Sequence, residues 1–158
     1  MNVRDFFSKT LAMGLGLGKC VSAPGTWGSL LGLVVGWFVS RSLSAWVLIA
    51  WLIVSFVLSA WICTRAEQLL ARQDPPMVVL DEVWGMMAIV SCLPWLTASI
   101  KALLGAFLAF RIFDILKPFP LKRLARLPAG WGIMADDCGA AFYTIVLLQW
   151  LRGYLIVG

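Results

Sequence analysis

The chain has 158 residues, of which 61% are hydrophobic and only 13% charged, and its net charge is +5. Soluble domains carry roughly 25% charged residues, so this composition, with a mean hydropathy of +0.91, points away from an ordinary water-soluble domain and toward one whose solvent is partly lipid. Nine Trp and no His sharpen the picture. Trp favours membrane interfaces, a basic balance of this kind reads as membrane orientation and not nucleic-acid binding, and the lack of His excludes His metal ligands, His general bases and phosphohistidine chemistry.

In chain order, Arg4 and Lys9 precede the glycine-rich, weakly apolar stretch TLAMGLGLG. No small-x-small site follows it closely, so it does not read as a secretory signal. Met13–Gly32 carries six glycines and leads into a short apolar helix beginning near Trp27, with Thr26 or Ser29 as its expected cap. Ser42–Cys63 is 22 residues without a charge, enough for a membrane-spanning helix. Thr64–Pro76 predicts a short amphipathic helix on the cytoplasmic side, ending before the double proline. Val83–Ile100 is uncharged but holds Pro94, which should kink or end its helix. Ala102–Leu116 is short and interrupted by Arg111 and Asp114. The basic loop Lys122–Asp137 then leads to a last helix over Cys138–Leu151. Cys20, Cys63, Cys92 and Cys138 are scattered without CxxC spacing, which argues against disulfides and a Cys metal site. The expected fold is all-α: one domain over residues 1–158, a compact polytopic membrane bundle of about four to five short transmembrane helices plus the amphipathic cytoplasmic helix.

With a cytoplasmic N-terminus, ten of the thirteen Lys and Arg fall inside. Arg41, Lys101 and Arg152 fall outside, as the positive-inside rule favours. The same threading puts all eight acids on the cytoplasmic side.

The acids Asp81, Glu82, Asp114, Asp136 and Asp137 thereby meet at one rim. Like charges close together in a low dielectric are costly, and a cation relieves that cost. With oxygen donors and no His, Mg²⁺ is the expected ion. The plainer reading is solvated helix starts, where acids suit the dipole. Arg111, Asp114 and Lys117 stand three residues apart, as a local ion-pair ladder or as a metal ligand flanked by two phosphate-binding cations. Gly28 and Gly32 suit tight helix packing. A capped helix start around Gly25, Thr26, Gly28 and Ser29 would also let backbone N–H groups approach phosphate. The basic loop suits anionic headgroups and topogenic charge equally.

Carboxylate-held Mg²⁺, basic groups and a membrane rim suggest phosphoryl chemistry on a lipid headgroup by metal-activated water, with a carboxylate as general base. No Cys-x5-Arg or Asp-x-Asp-x-Thr nucleophile motif is present. The competing readings are a small ion or proton transporter, whose acids should sit near mid-membrane, a phosphatidyl-alcohol transferase, whose longer Asp-Gly-x2-Ala-Arg type motif is absent, and a phosphatase for another membrane lipid phosphate.

APGTWGSL (Ala23–Leu30), DEVWG (Asp81–Gly85), FRIFDILKPFP (Phe110–Pro120) and IMADD (Ile133–Asp137), in this order and spacing, resemble the motif set of the bacterial phosphatidylglycerophosphatase A family. The resemblance implies a Mg²⁺-dependent, multi-pass enzyme of the inner membrane with a cytoplasmic active site. It would convert phosphatidylglycerophosphate to phosphatidylglycerol and phosphate. It further implies that Asp81, Glu82, Asp114, Asp136 and Asp137 form the metal and catalytic group; of these, Asp81, Asp136 and Asp137 are the candidate catalytic acids, with Asp81 or Asp136 as the expected general base. Two departures are visible: Ala140-Ala141 stands where Ala-Gly is usual, and GKCVS lacks a common proline.

Overall fold

A stripe of glycines sets the most extensive helix contact among the described residues. The computed structural model describes residues 2–19 and 22–157, with side chains through Tyr154, so Cys20 of the GKCVS segment lies outside the described residues. The helices are α1 (Val3–Ala12), α2 (Pro24–Ser42), α3 (Ala45–Leu70), α4 (Leu80–Cys92), α5 (Ile100–Leu116), α6 (Leu121–Leu124) and α7 (Gly130–Val157), with 3₁₀ turns at Gly14–Lys19 and Pro94–Ala98. Among the described residues there is no strand. On α2, Gly28, Gly32 and Gly36 recur every four residues and let α4 approach. A Cβ on Gly36 would stand 2.9 Å from both Val90 Cβ and Met87 O. This is the small-residue packing expected of Gly28 and Gly32.

α4 is the central helix. One of its faces joins a core with α5 and α7 through Met86, Ile89, Val90, Phe110, Ala140 and Leu148. Its other face joins α1, α3 and α7 through Trp84, Met87, Ala88, Ala60, Cys63 and Met134. Pro94 ends α4 as predicted, and the chain turns through Pro94–Ala98 into α5. Ser99 caps α5, accepting from the Ala102 N–H, and the helix ends at Lys117 in a left-handed conformation (φ 45°) before Pro118.

α3 and α7 are long and apolar enough to cross a membrane. The 26 residues of α3 reach about 39 Å at 1.5 Å per residue, beyond the roughly 30 Å of a hydrocarbon core. Its outer face exposes Trp46 (81%), Ile53 (61%), Val54, Val57 and Leu58. A contiguous apolar surface of this kind marks a lipid or partner face, and it suggests membrane association.

Three expectations are corrected here. The predicted amphipathic helix over Thr64–Pro76 does not stand apart: α3 runs unbroken to Leu70, because Ala66 and Cys63 are buried in the same core as Ala60. The last helix starts at Gly130 and not at Cys138. α2 begins at Pro24, a favoured first helical residue, with no side-chain cap. Ahead of these, Val3–Ala12 forms α1, which pairs Asp5 with Arg65 at 2.8 Å and stacks Arg4 over Trp61 at 4.8 Å.

Candidate active site

Successive long helices bring opposite ends to one cleft of about 360 Å³. α2 contributes Pro24 and Gly25 from its start and α3 contributes Glu67 from its end. α4 contributes Asp81 and Glu82 from its start, α5 Arg111 and Asp114 near its end, and α7 Gly132, Asp136 and Asp137 from its first half. Arg41, Lys101 and Arg152 lie at the far helix ends, where Arg41 stacks on Trp37 at 4.1 Å. Seven of the eight acids line the cleft, all but Asp5. Residues 33 positions apart in sequence, Asp81 and Asp114, therefore share one wall.

The five acids singled out in sequence separate into two groups. Asp81, Glu82 and Asp137 each offer a carboxylate oxygen, and these atoms lie within 4.8 Å of one another. Asp81 Oδ1, Glu82 Oε2 and Asp137 Oδ2 are buried without a hydrogen-bond partner. Buried polar atoms are normally satisfied, and three converging anionic ones call for a cation. An all-oxygen donor set suits a hard divalent ion, so the residues present fit one.

Asp114 and Asp136 are instead held by cations. Arg111 Nη1 lies 2.7 Å from Asp114 Oδ2 and 3.6 Å from Glu82 Oε1. The same Nη1 is buried without an aligned acceptor, so these contacts are charge pairs that leave a donor free for an anion. Lys117 Nζ donates to Asp136 Oδ2, so Lys117 pairs across helices and not with Asp114 in the local ladder. Burial pulls the Lys117 ammonium down, but the hydrogen bond and charge of Asp136 outweigh it and hold the group above the ordinary lysine value.

Gly25 explains the first motif. A Cβ there would collide with Glu82 Oε1 and stand 2.9 Å from Arg111 Nη1, so only glycine lets the start of α2 close on this pair. Ala23 and Pro24 line the cleft beside it, whereas Thr26, Gly28 and Ser29 do not. Gly28 packs on Val79 and the Glu82 Cβ. Ser29 is fully buried and donates its hydroxyl to Gly25 O at 2.8 Å inside the helix. Thr26 bonds back through its N–H to Ala23 O at 3.0 Å. These placements depart from the expected substrate-binding role of Thr26, Gly28 and Ser29.

Sequence reasoning passed over Glu67, Arg72 and Asp74, which also line the cleft; their sign-alternating run gave no chemical pattern to read. It also passed over backbone strain. Ala23, Asp74, Lys117 and Ala129 all have positive φ without being glycine, and all line the cleft. Such conformations cluster at functional sites.

The family profile of phosphatidylglycerophosphatase A matches residues 10–152. The phosphatidylglycerophosphatase A of Haemophilus influenzae is 36% identical over 92% of this chain and 89% of its own length. A Bacteroides thetaiotaomicron protein provisionally named phosphatidylinositol-3-phosphatase is 30% identical over 94% of this chain and 98% of its own length. The phosphatidylglycerophosphatase A of Escherichia coli is 29% identical over 94% and 85%. Among solved structures there is no match. Fold, cleft and relatives together define an enzyme of the phosphatase class. The chain belongs to the phosphatidylglycerophosphatase A family.

Proposed function

We propose that this chain is a Mg²⁺-dependent phosphatase of the bacterial inner membrane that removes the terminal phosphomonoester of phosphatidylglycerophosphate, yielding phosphatidylglycerol and phosphate. One observation carries the reading: three carboxylates from two helices converge with buried, unpartnered oxygens beside a buried Arg111 donor that lacks an aligned acceptor. The family membership supports the substrate.

Asp81, Glu82 and Asp137 would hold the ion, with Asp114 beside them. When bound, Mg²⁺ supplies charge neutralisation and polarisation of the phosphoryl oxygens. Arg111 turns its free donor to the phosphoryl group, and Lys117 adds a second positive charge. Asp136, fixed by Lys117, accepts the proton of the attacking water. The new P–O bond forms as the glycerol P–O bond breaks, and the departing alkoxide takes a proton to leave as phosphatidylglycerol.

We read α2, α3, α4 with its following turn, α5 and α7 as five membrane passes and the cleft as cytoplasmic. The alternating helix directions and the placement of Arg41, Lys101 and Arg152 at the far ends support this orientation. The relative named for a phosphatidylinositol-3-phosphatase favours a second reading, in which the same site takes another lipid phosphate. Purified protein in detergent, given phosphatidylglycerophosphate and a phosphoinositide with and without Mg²⁺, separates the two. The first reading expects Mg²⁺-dependent phosphate release chiefly from phosphatidylglycerophosphate. Release only from the phosphoinositide refutes it in favour of the second.

A further inference from the structure

Beside the acidic cleft lies a second cavity, of about 410 Å³, whose charged lining is entirely basic: Lys117, Lys122, Arg123 and Arg126. Lys117 belongs to both cavities. It has a carboxylate partner in Asp136, whereas Lys122, Arg123 and Arg126 have none among the described residues. Arg123 is held over the Phe119 ring at 4.8 Å, which orients its guanidinium without neutralising it. Pro120 in turn joins this cavity to an apolar groove that includes Leu124, Phe142 and Tyr143. The rim of the basic cavity also exposes apolar Leu116 (64%) and Phe119 (72%).

The order along the surface is therefore acidic cleft, basic cavity, apolar groove, with Lys117 and Pro120 at the two joints. A glycerophospholipid with two phosphates has the same order: terminal phosphomonoester, bridging phosphodiester, acyl chains. We infer that Lys122, Arg123 and Arg126 form a phosphodiester subsite that holds the bridging phosphate of the lipid whose terminal phosphate is cleaved next door. The inference rests on the proposed function and adds to it the determinant that would distinguish a two-phosphate lipid from a one-phosphate lipid. The uncompensated charge suits a phosphate group, and its place between the cleft and the apolar groove makes that phosphate the bridging diester. Continuity through Lys117 assigns that diester to the bound substrate and not to a neighbouring lipid.

The test uses the full chain in neutral detergent with phosphatidylglycerophosphate as substrate, and short-chain phosphatidylglycerol and inorganic phosphate as inhibitors. For Arg123→Gln/Arg126→Gln, the expected result is a roughly tenfold rise in KM with kcat within about twofold. Competitive inhibition by phosphatidylglycerol should weaken by a similar factor, while inhibition by inorganic phosphate stays unchanged. Arg123→Lys/Arg126→Lys should restore most of the affinity, and the melting temperature of each variant reports folding. Unchanged KM in the Gln variant overturns the inference and leaves the proposed function intact. So does non-competitive inhibition by phosphatidylglycerol, which would assign the cavity to a neighbouring lipid. Failure of the unmutated chain to hydrolyse phosphatidylglycerophosphate overturns the functional reading, and the subsite falls with it.

Discussion

Neutralising one acid of the converging triad should stabilise the protein while destroying its activity. The donor atoms of Asp81, Glu82 and Asp137 lie within 4.8 Å of one another. Two unit charges at that distance repel by about 3.5 kcal/mol at an effective dielectric near 20. Asp137 faces two such neighbours and is only 2% exposed, so solvent screens little of this. Side-chain relaxation and the nearby Arg111 relieve part of the repulsion, leaving about 1–3 kcal/mol to be recovered by Asp137→Asn. For a chain of this length that is a rise in melting temperature of about 2–10 °C. The assay is thermal unfolding in detergent with EDTA and then with excess Mg²⁺, beside phosphate release. Unmutated protein should gain stability on Mg²⁺ addition through linkage. Asp137→Asn should start higher, gain little and release no phosphate. A mutant less stable than the unmutated protein in EDTA, with Mg²⁺ shifting both alike, refutes the reasoning.

Three further outcomes follow from the geometry. Gly25→Ala places a Cβ into Glu82 Oε1 and against Arg111; kcat should fall at least roughly tenfold with helical circular dichroism unchanged. Lys117→Met leaves Asp136, itself 4% exposed, without its cation; discounting for the 30% exposure of the lysine side chain, the loss in thermal unfolding should be about 1–2 kcal/mol, with phosphate release reduced as well. Gly32→Ala drives a methyl into Val83 O and to 3.0 Å from Met86 Cβ, which should part α2 from α4 and lower stability by about 1–3 kcal/mol.

The features legible in the sequence were those set by local pattern. Ser42–Cys63 announced α3 by an uncharged run, Pro94 announced the end of α4, and Pro118 announced the end of α5 at Lys117. The gathering of the acids was legible because charge sign and helix alternation together admit few threadings. What escaped depended on tertiary contact. The stretch PAGWG reads as a loop, yet Gly130 opens α7. A Cβ there would stand 2.7 Å from Cys63 Cβ and clash with the α3 backbone, and the Gly130 N–H donates to Thr64 Oγ1 at 3.1 Å. A close crossing of α3 and α7 overrides the low helix propensity of glycine, and it carries Asp136 and Asp137 nearly two turns into the helix. Ser29 likewise has the composition of a cap but is fully buried one turn into α2 and donates its hydroxyl to Gly25 O. The division of the five acids into a converging triad and two members held more closely by cations depends on side-chain geometry that spacing alone does not encode.

The central claim is that Asp81, Glu82 and Asp137 hold a divalent ion on which lipid-phosphate hydrolysis depends. Its most direct measurement is binding of Mn²⁺, as a paramagnetic stand-in for Mg²⁺, to metal-stripped protein in detergent, followed by electron paramagnetic resonance and paired with phosphate release from phosphatidylglycerophosphate. The account predicts saturable uptake that Mg²⁺ displaces and that restores turnover, with both lost in Asp81→Asn/Asp137→Asn. Equal uptake and equal turnover in that double variant would contradict it.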